Sequence, residues 1–415
     1  MKILFLSQIV PYPPHGGVLQ RGYNLLREIG KYNEVHLLAF LHTDILDTPA
    51  RVEESEEVLR RHCASVQYFP LWPKRSRVHK VAAFGAGLLY QKPFSVLAHL
   101  SGAYRNAIKS TLETRGIDLL HVDTIGLAPY RRFAQGRPSV LTHHNIESQL
   151  MARRAEVETN TLHKFYVAQQ AKRLRGYEAE QGPLFDANIV MSPNDRDNLI
   201  SIAPGARTAI VPNGVDTDYF TAATDDHELA TIYTGGMNMY ANKDAVLFFL
   251  REIWPTVLQQ YPGAKFYAIG QDPPRELLDH ARQDASLVVT GFVDDVRPYV
   301  RKAAVYVVPL RVGGGTRLKV LDALAQGKAI VSTSVGCEGI GVTHGKDVFI
   351  EDEAADFAAR INALFADAAL RRTLGRAARD LAEKRYGWPA IGKDLQNLYE
   401  SLSHPANNES DTLVG

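Results

Sequence analysis

Residues 311–327 read Arg311-Val312-Gly313-Gly314-Gly315-Thr316-Arg317-Leu318-Lys319-Val320-Leu321-Asp322-Ala323-Leu324-Ala325-Gln326-Gly327 and follow an apolar, β-branched run at Val305–Val308. Three consecutive glycines allow the backbone to close tightly around a ligand, and the spacing after them predicts a helix whose first turns carry Arg317 and Lys319. Free amides at that N-terminus, the helix dipole and two cations then converge on one spot, which is the chemistry of a diphosphate site. Asp322, further along the helix, could accept hydrogen bonds from ribose hydroxyls. A second candidate is Pro13-Pro14-His15-Gly16-Gly17 ahead of a helix bearing Arg21, again a tight turn at a helix N-terminus suited to a phosphate or sugar oxygen. A third is His143-His144-Asn145, where an imidazole projects from the end of a strand. No G-x-G-x-x-G is present, which argues against a nicotinamide dehydrogenase.

All three segments sit at the ends of short apolar runs that alternate with amphipathic stretches, the pattern of βα units and a parallel sheet. In the first half the strands are predicted at Met1–Ser7, Val35–Phe40, Val66–Phe69, Asp118–Val122, Ser139–His143 and Ala187–Ser192, with a long helix over much of Met151–Glu180. A second series starts at Ala209–Val211 and runs through Thr231–Thr234, Lys265–Ile269, Leu287–Thr290, Val305–Val308 and Ala329–Ser332. The reading is an α/β chain of two Rossmann-like, doubly wound domains, 1–205 and 206–385. The helix 386–402 is expected to complete the first, and 403–415 to be a disordered tail. Ligands of doubly wound sheets sit at the carboxyl ends of the strands, so a cleft between two facing halves is the expected active site.

Composition narrows the function classes. The 415 residues carry 47 basic and 46 acidic side chains, and this balance argues against general nucleic-acid binding. Cys63 and Cys337 are the only cysteines and lack metal-ligand spacing, so neither a disulfide framework nor a zinc site is expected, and a reducing cytoplasm is the simplest location. The start of the chain reads as a strand and not a signal peptide, and the uncharged run Val81–Tyr90 is far shorter than the ~20 residues that span a bilayer. One asymmetry stands out: no Asp or Glu occurs between Glu57 and Glu113, where Arg60, Arg61, Lys74, Arg75, Arg77, Lys80, Lys92, Arg105 and Lys109 mix with Trp72, Phe84, Leu88, Tyr90 and Phe94. Such a stretch, 58–112, suits an anionic membrane surface or acceptor, or is an ordinary solvated face.

Taken together, Gly16-Gly17, His144-Asn145, Val211-Pro212-Asn213-Gly214-Val215-Asp216, Gly291-Phe292-Val293-Asp294-Asp295 and Gly313–Gly327 followed by Ala329-Ile330-Val331 resemble the retaining, nucleotide-sugar-dependent transferases of glycosyltransferase family 4, which have the GT-B fold. The glycine-run pattern is similar to a subset linked to exopolysaccharide assembly. The resemblance implies that Gly16 and Gly17 approach the donor phosphate or sugar and that His144 contacts the sugar near the reacting carbon. It also places Phe292, Val293 and Asp294 at the nucleotide base, and Asn213, Gly236, Gly313, Gly314, Gly315 and Thr316 on the donor side, with Asp322 at the ribose. Two departures follow: the first Glu of the family's paired-Glu motif falls on Gly314, and the usual Arg and Lys after the first strand of the second domain are not evident between Gly235 and Lys243. Arg317 and Lys319 are the best substitutes, with Lys243 a weaker one.

Breaking a sugar–phosphate bond leaves negative charge on the departing diphosphate, which fixed cations and amides stabilise. No metal or other cofactor is then expected, and with retention implied, His144 positions the sugar while the diphosphate itself serves as base. The acceptor, a saccharide that a lipid anchor would place at the inner membrane face, is expected near His15, Arg21 and the basic stretch, making the protein cytoplasmic and peripheral. The alternatives are a sugar-nucleotide epimerase or phosphorylase of the same fold and a non-catalytic nucleotide-sugar-binding protein.

Overall fold

Five consecutive buried residues, Ile3 to Ser7, explain the first strand: a central strand of a parallel sheet is covered on both faces and therefore reads as a continuous apolar run. The computed structural model describes residues 1–14, 16–72, 90–222, 228–313 and 315–403. Among these, β1 (Lys2–Ser7), β2 (Glu34–Leu41), β3 (Ser65–Pro70), β4 (Leu119–Val122), β5 (Ser139–Thr142), β6 (Ala187–Val190) and β7 (Thr208–Ile210) form one parallel sheet in the order β3-β2-β1-β4-β5-β6-β7. A second parallel sheet has the order β10-β9-β8-β11-β12-β13, from β8 (Glu228–Thr234), β9 (Lys265–Ile269), β10 (Leu287–Gly291), β11 (Ala303–Val308), β12 (Ala329–Ser332) and β13 (Phe349–Ile350). Both orders reverse beside their first strand, at β1/β4 and β8/β11, the switch points where doubly wound sheets open a crevice for ligands.

The chain divides into two compact units, one made of Met1–Pro212 with the C-terminal stretch from Ile391, the other of Asn213–Ala390. This corrects the expected boundary at 205/206. The run around Ala209 does not open the second sheet but closes the first, because β7 pairs in parallel with β6 through Asn188–Thr208, Ile189–Ala209 and Val190–Ile210. The long helix expected over 151–180 is two helices, α2 (Glu147–Val157) and α3 (Thr161–Gln181), separated at Asn160, whose side chain caps the second by accepting from the His163 amide. The expected disordered tail lies outside the described residues from 404 onward, and Ser403 ends a helix.

Before these, α1 (Gly17–Ile29) buries Arg21, Gly22, Leu25, Leu26 and Ile29 along one stripe. The last helix among the described residues, α6 (Trp388–Ser403), belongs from Ile391 on to the first unit and lies against its sheet and α1. Tyr399 is fully buried with its hydroxyl 2.6 Å from His121 Nδ1, while His121 Nε2 is 2.9 Å from Thr142 Oγ1. At Gly392 an added Cβ would come within 2.4 Å of Glu28 Cβ, so backbone and helix α1 touch directly. Tyr399→Phe leaves a buried imidazole nitrogen unpaired and is expected to cost about 1–3 kcal/mol. Thermal unfolding checks this, and an unchanged midpoint would show that the bond is not a net contributor.

Candidate active site

In the second unit, the glycine run leads into the helix α4 (Leu318–Ala325), which is one residue shorter at its start than the sequence predicts. Arg317 is the residue before the helix and not part of its first turn, because its φ of −83° and ψ of 86° are non-helical. Its guanidinium is buried, donates to the Gly315 carbonyl and lies 3.6 Å from Glu338 Oε2. An added Cβ at Gly313 would lie 2.9 Å from Arg317 Nη2, so the run wraps around this side chain. Lys319 points to the first strand of the sheet: Nζ donates to Tyr233 Oη at 2.6 Å and to Asn242 Oδ1 at 2.9 Å, and sits 4.1 Å above the Tyr233 ring. Among the described residues no ion pair joins Lys319 to a carboxylate. Burial, reinforced by the Arg317 charge, lowers its pKa to about 7. One helical turn on, burial raises the Asp322 carboxyl to about 7, with Lys319 acting against the rise. Gly314 lies outside the described residues.

The loop after β8 is tied to the same place. Asn242 Nδ2 donates to the Gly236 carbonyl at 2.7 Å, and an added Cβ at Gly235 would lie 2.5 Å from Lys319 Nζ. Neighbouring strand ends are joined through glycines: the Gly235 amide donates to Ile269 O at 2.9 Å and the Gly270 amide to Gly291 O at 3.0 Å. Gly270 has φ +156°, and a Cβ there would stand 1.9 Å from the Gly235 carbonyl oxygen. Gly270→Ala must push the Gly235–Gly236 loop away, and an expected loss of about 1–3 kcal/mol, seen in the thermal midpoint, tests that packing. Phe292 and Asp294 follow β10 on the exposed surface, Phe292 being 71% exposed, while Val293 packs on the core. Asn213 opens this unit in a segment whose Gly214 faces the Trp388 indole and whose Val215 amide donates to Tyr386 O at 2.7 Å.

In the first unit, Gly16 precedes α1 with φ +87° and has no side-chain cap, so the amides of Gly17 and its neighbours start a helix in the open. His144 follows β5. Its Nε2 lies 2.8 Å from the Asp123 carbonyl and 3.2 Å from Asp123 Oδ1, and because both are acceptors this nitrogen carries the proton. Among the described residues Nδ1 has no hydrogen-bond partner. Asp123, buried at the end of β4, was not singled out from sequence, although its place at a strand terminus was the available signal; Tyr233 and Asn242 were missed likewise. A cavity of about 430 Å³ adjoins His144 and Asn145, bounded by Gln8, Val18, Glu147 and the apolar residues Phe94, Leu150 and Met151 among others.

Arg21 departs from its expected place at the acceptor. It is 1% exposed and its guanidinium donates to the carbonyls of Pro212 at 2.6 Å and Val211 at 2.8 Å. Burial lowers its pKa to about 10, against the opposing charge of Asp123. This arginine anchors the end of the first unit's chain and is structural. His15 lies outside the described residues, as do residues 73–89 of the basic stretch. Of the rest of that stretch, Arg60 and Arg61 pair with Glu56 and Glu57, and Lys92 and Lys109 lie over the rings of Tyr177 and Phe133. No helix among the described residues is long and apolar enough to cross a membrane.

Two doubly wound α/β units, each with its glycine turns and polar side chains at the carboxyl ends of the strands, define the class: this is the GT-B fold. The chain belongs to the family 4 glycosyltransferases. The model of Glycosyltransferase Family 4 matches residues 15–219, and that of Glycosyl transferases group 1 matches residues 228–367. A phosphatidyl-myo-inositol mannosyltransferase of Mycobacterium tuberculosis is 27% identical over 213 residues, 48% of this chain and 56% of the relative. An uncharacterized 44.6 kDa protein in the cps region of Klebsiella pneumoniae is 24% identical over 144 residues, 33% of this chain and 37% of the relative. The chain thus matches between about a third and just over half the length of these curated relatives. In fold it is similar to sucrose-phosphate synthase from Thermosynechococcus elongatus, with TM-score 0.68, 18% identity and coverage of 98% of this chain and 100% of the other. Anabaena HepE in complex with UDP gives TM-score 0.64 and 16% identity over 97% and 100%.

Proposed function

We propose that the protein is a retaining glycosyltransferase that moves a sugar from a nucleoside diphosphate sugar to a saccharide acceptor carried on a lipid, in the synthesis of a cell-surface polysaccharide. The observation that carries this reading is Lys319: a desolvated ammonium held by two neutral oxygens, beside Arg317 and a glycine run, at the switch point of the second sheet. Such a group is short of negative charge, and a diphosphate supplies it. Thr316 Oγ1 supports the reading, being buried without a hydrogen-bond partner among the described residues. Relatives point the same way: HepE is a UDP complex, the mycobacterial relative is a mannosyltransferase acting on a phosphatidyl-inositol, and the Klebsiella relative comes from a cps region.

In this proposal the second unit holds the donor. Lys319, Arg317 and the amides of Gly313 and Gly315 take the diphosphate, Asp322 takes the ribose, Gly236 comes close to the phosphates, and Phe292, Val293 and Asp294 take the base. As the anomeric carbon–oxygen bond breaks, charge collects on the diphosphate, where these cations are already fixed, so stabilisation needs no reorganisation. The acceptor hydroxyl attacks from the leaving-group face and passes its proton to the diphosphate oxygen, which retains configuration. The first unit's part is to hold the sugar and the acceptor. The Gly16–Gly17 helix start and His144 Nδ1, which accepts from a sugar hydroxyl when the ring is neutral, act on the sugar, and the cavity beside His144 receives the acceptor. We place the protein in the cytoplasm, bound peripherally to the membrane that carries the acceptor.

The test is thermal stabilisation by a panel of UDP-, GDP- and ADP-sugars in EDTA, followed by product analysis with the matching donor. One sugar nucleotide should raise the midpoint, by mass action worth about 2.7 kcal/mol at a hundredfold excess over Kd, and transfer should persist in the chelator. Release of free sugar or of an altered sugar nucleotide without acceptor would indicate an epimerase instead. A shift without turnover would indicate a binding protein.

A further inference from the structure

A second basic cavity lies in the same unit as the proposed donor site but at the opposite edge of its sheet. It has a volume of about 390 Å³ and is lined by Ala304 at the start of β11, by Lys328 and Ala329 at the start of β12, and by arginines of the helix α5 (Ala368–Leu381). The Gly313–Lys319 segment leaves the carboxyl end of β11, so the sheet separates the two places.

The floor of the cavity is Lys328, 1% exposed, whose Nζ donates to the Ala303 carbonyl. Among the described residues no carboxylate pairs with it. The charge acting on it is that of Arg371, so a cation is buried beside a cation, and burial together with Arg371 lowers the lysine's pKa to about 7. Two of the arginines are committed elsewhere: Arg371 to the carbonyls of Leu364 and Phe365, Arg379 to the carbonyls of Thr217, Phe220 and Ala325. Arg372 and Arg376 make no such tie to another element: among the described residues Arg376 Nε donates only within its own helix, to the Arg372 carbonyl at 3.3 Å. They stand one turn apart on the exposed face of α5, with no ion pair to a carboxylate among the described residues, and like charges at this spacing destabilise a helix. The cavity's one acid, Asp380, pairs with Lys384 at 3.2 Å.

The arrangement is held by a backbone contact. A Cβ added at Gly375 would lie 2.1 Å from the Gly327 carbonyl oxygen, so α5 is pressed against the turn that delivers Lys328. Buried cations require a counter-charge or hydrogen-bond acceptors to be tolerated, and here the described protein supplies only one carbonyl to the lysine. We propose that this cavity is an anion site for a phosphate group, with Arg372 and Arg376 gripping it at the mouth and Lys328 below, separate from the diphosphate site of the donor. The ligand class is a phosphate or diphosphate oxyanion, carried by a soluble compound or by a lipid headgroup. The inference does not depend on the transferase reading.

The test uses the full chain, with inorganic pyrophosphate as probe in calorimetry and thermal unfolding. Wild type should bind, Lys319→Ala should still bind, and adding Arg372→Ser/Arg376→Ser to Lys319→Ala should lower that remaining affinity at least tenfold and remove the pyrophosphate-induced rise in midpoint. Both arginines are exposed, and without ligand the double variant should unfold at or above the wild-type temperature, which shows that it is folded. Co-sedimentation with phosphatidylcholine vesicles, with and without phosphatidic acid, separates the sources. Binding that needs both the phosphatidic acid and the two arginines assigns the phosphate to a headgroup, and vesicle binding indifferent to the two arginine substitutions, with the pyrophosphate affinity of Lys319→Ala lowered by them, assigns it to a soluble ligand. Equal pyrophosphate affinity in Lys319→Ala with and without the two arginine substitutions, or binding abolished by Lys319→Ala alone, would overturn the proposal.

Discussion

Lys319→Ala is expected to lower kcat/KM for sugar transfer by about 10²–10³-fold, the range measured when one preorganised stabilising donor is removed from a transition state. The ammonium lies among Tyr233, Asn242 and Gly235, where water does not compensate for its loss. Its titration gives the experiment a second readout. In the free protein the lysine's pKa is about 7, so it is charged below and neutral above; a bound diphosphate raises that pKa. Donor binding must then take up a proton at pH values between the free and bound pKa, and affinity must fall as pH rises above about 7. Calorimetry at pH 8 in buffers of different ionisation enthalpy measures the uptake. Lys319→Ala should abolish it, and Asp322→Asn, which removes the neighbouring carboxyl raised to about 7, should leave it in place. Donor affinity independent of pH in the wild type would count against Lys319 as a diphosphate ligand.

The largest effect on stability is expected at Asp123. Its carboxylate is the negative charge acting on buried Arg21, and it also faces His144 Nε2 at 3.2 Å. Asp123→Asn removes the opposing charge from a guanidinium that donates to the Val211 and Pro212 carbonyls, and removing one partner of buried charges costs about 3–5 kcal/mol. Since the carbonyls remain, the lower end, about 3 kcal/mol, is expected, which lowers the midpoint of the transition containing the first unit by roughly 6–12 °C. Arg21→Met combined with Asp123→Asn should recover part of that loss, because no lone charge then stays buried. A double variant as unstable as the sum of the single ones would show that the two charges are not coupled.

Much of the candidate site's make-up is legible in residue order because its parts are local. Glycine runs, the cations that follow them and a histidine at a strand end are contiguous in sequence, and strand alternation places each at a carboxyl edge. The same reasoning misread Arg21, which looks like a ligand cation on an amphipathic helix. Nothing near it in sequence announces that the carbonyls of residues 211 and 212 would receive it. It also missed Asp123, Tyr233 and Asn242, whose importance comes from the histidine and lysine they hold across strands. The β7 strand was given to the wrong sheet because a three-residue apolar run carries no information about its partner, and pairing with β6 is a non-local choice.

The sequence by itself therefore determined the class of chain, the two series of βα units and the glycine turns at their strand ends, because periodicity and glycine placement act over a few residues. Tertiary structure alone decided which cations reach those segments and which are consumed as internal ties. Arg21 and Lys319 are both basic residues near a glycine turn, yet one is bound by two main-chain carbonyls and the other, among the described residues, donates to two neutral side-chain oxygens. Desolvation and the partner that strand pairing happens to bring alongside, neither of which is written into local spacing, separate a structural cation from one poised for a ligand.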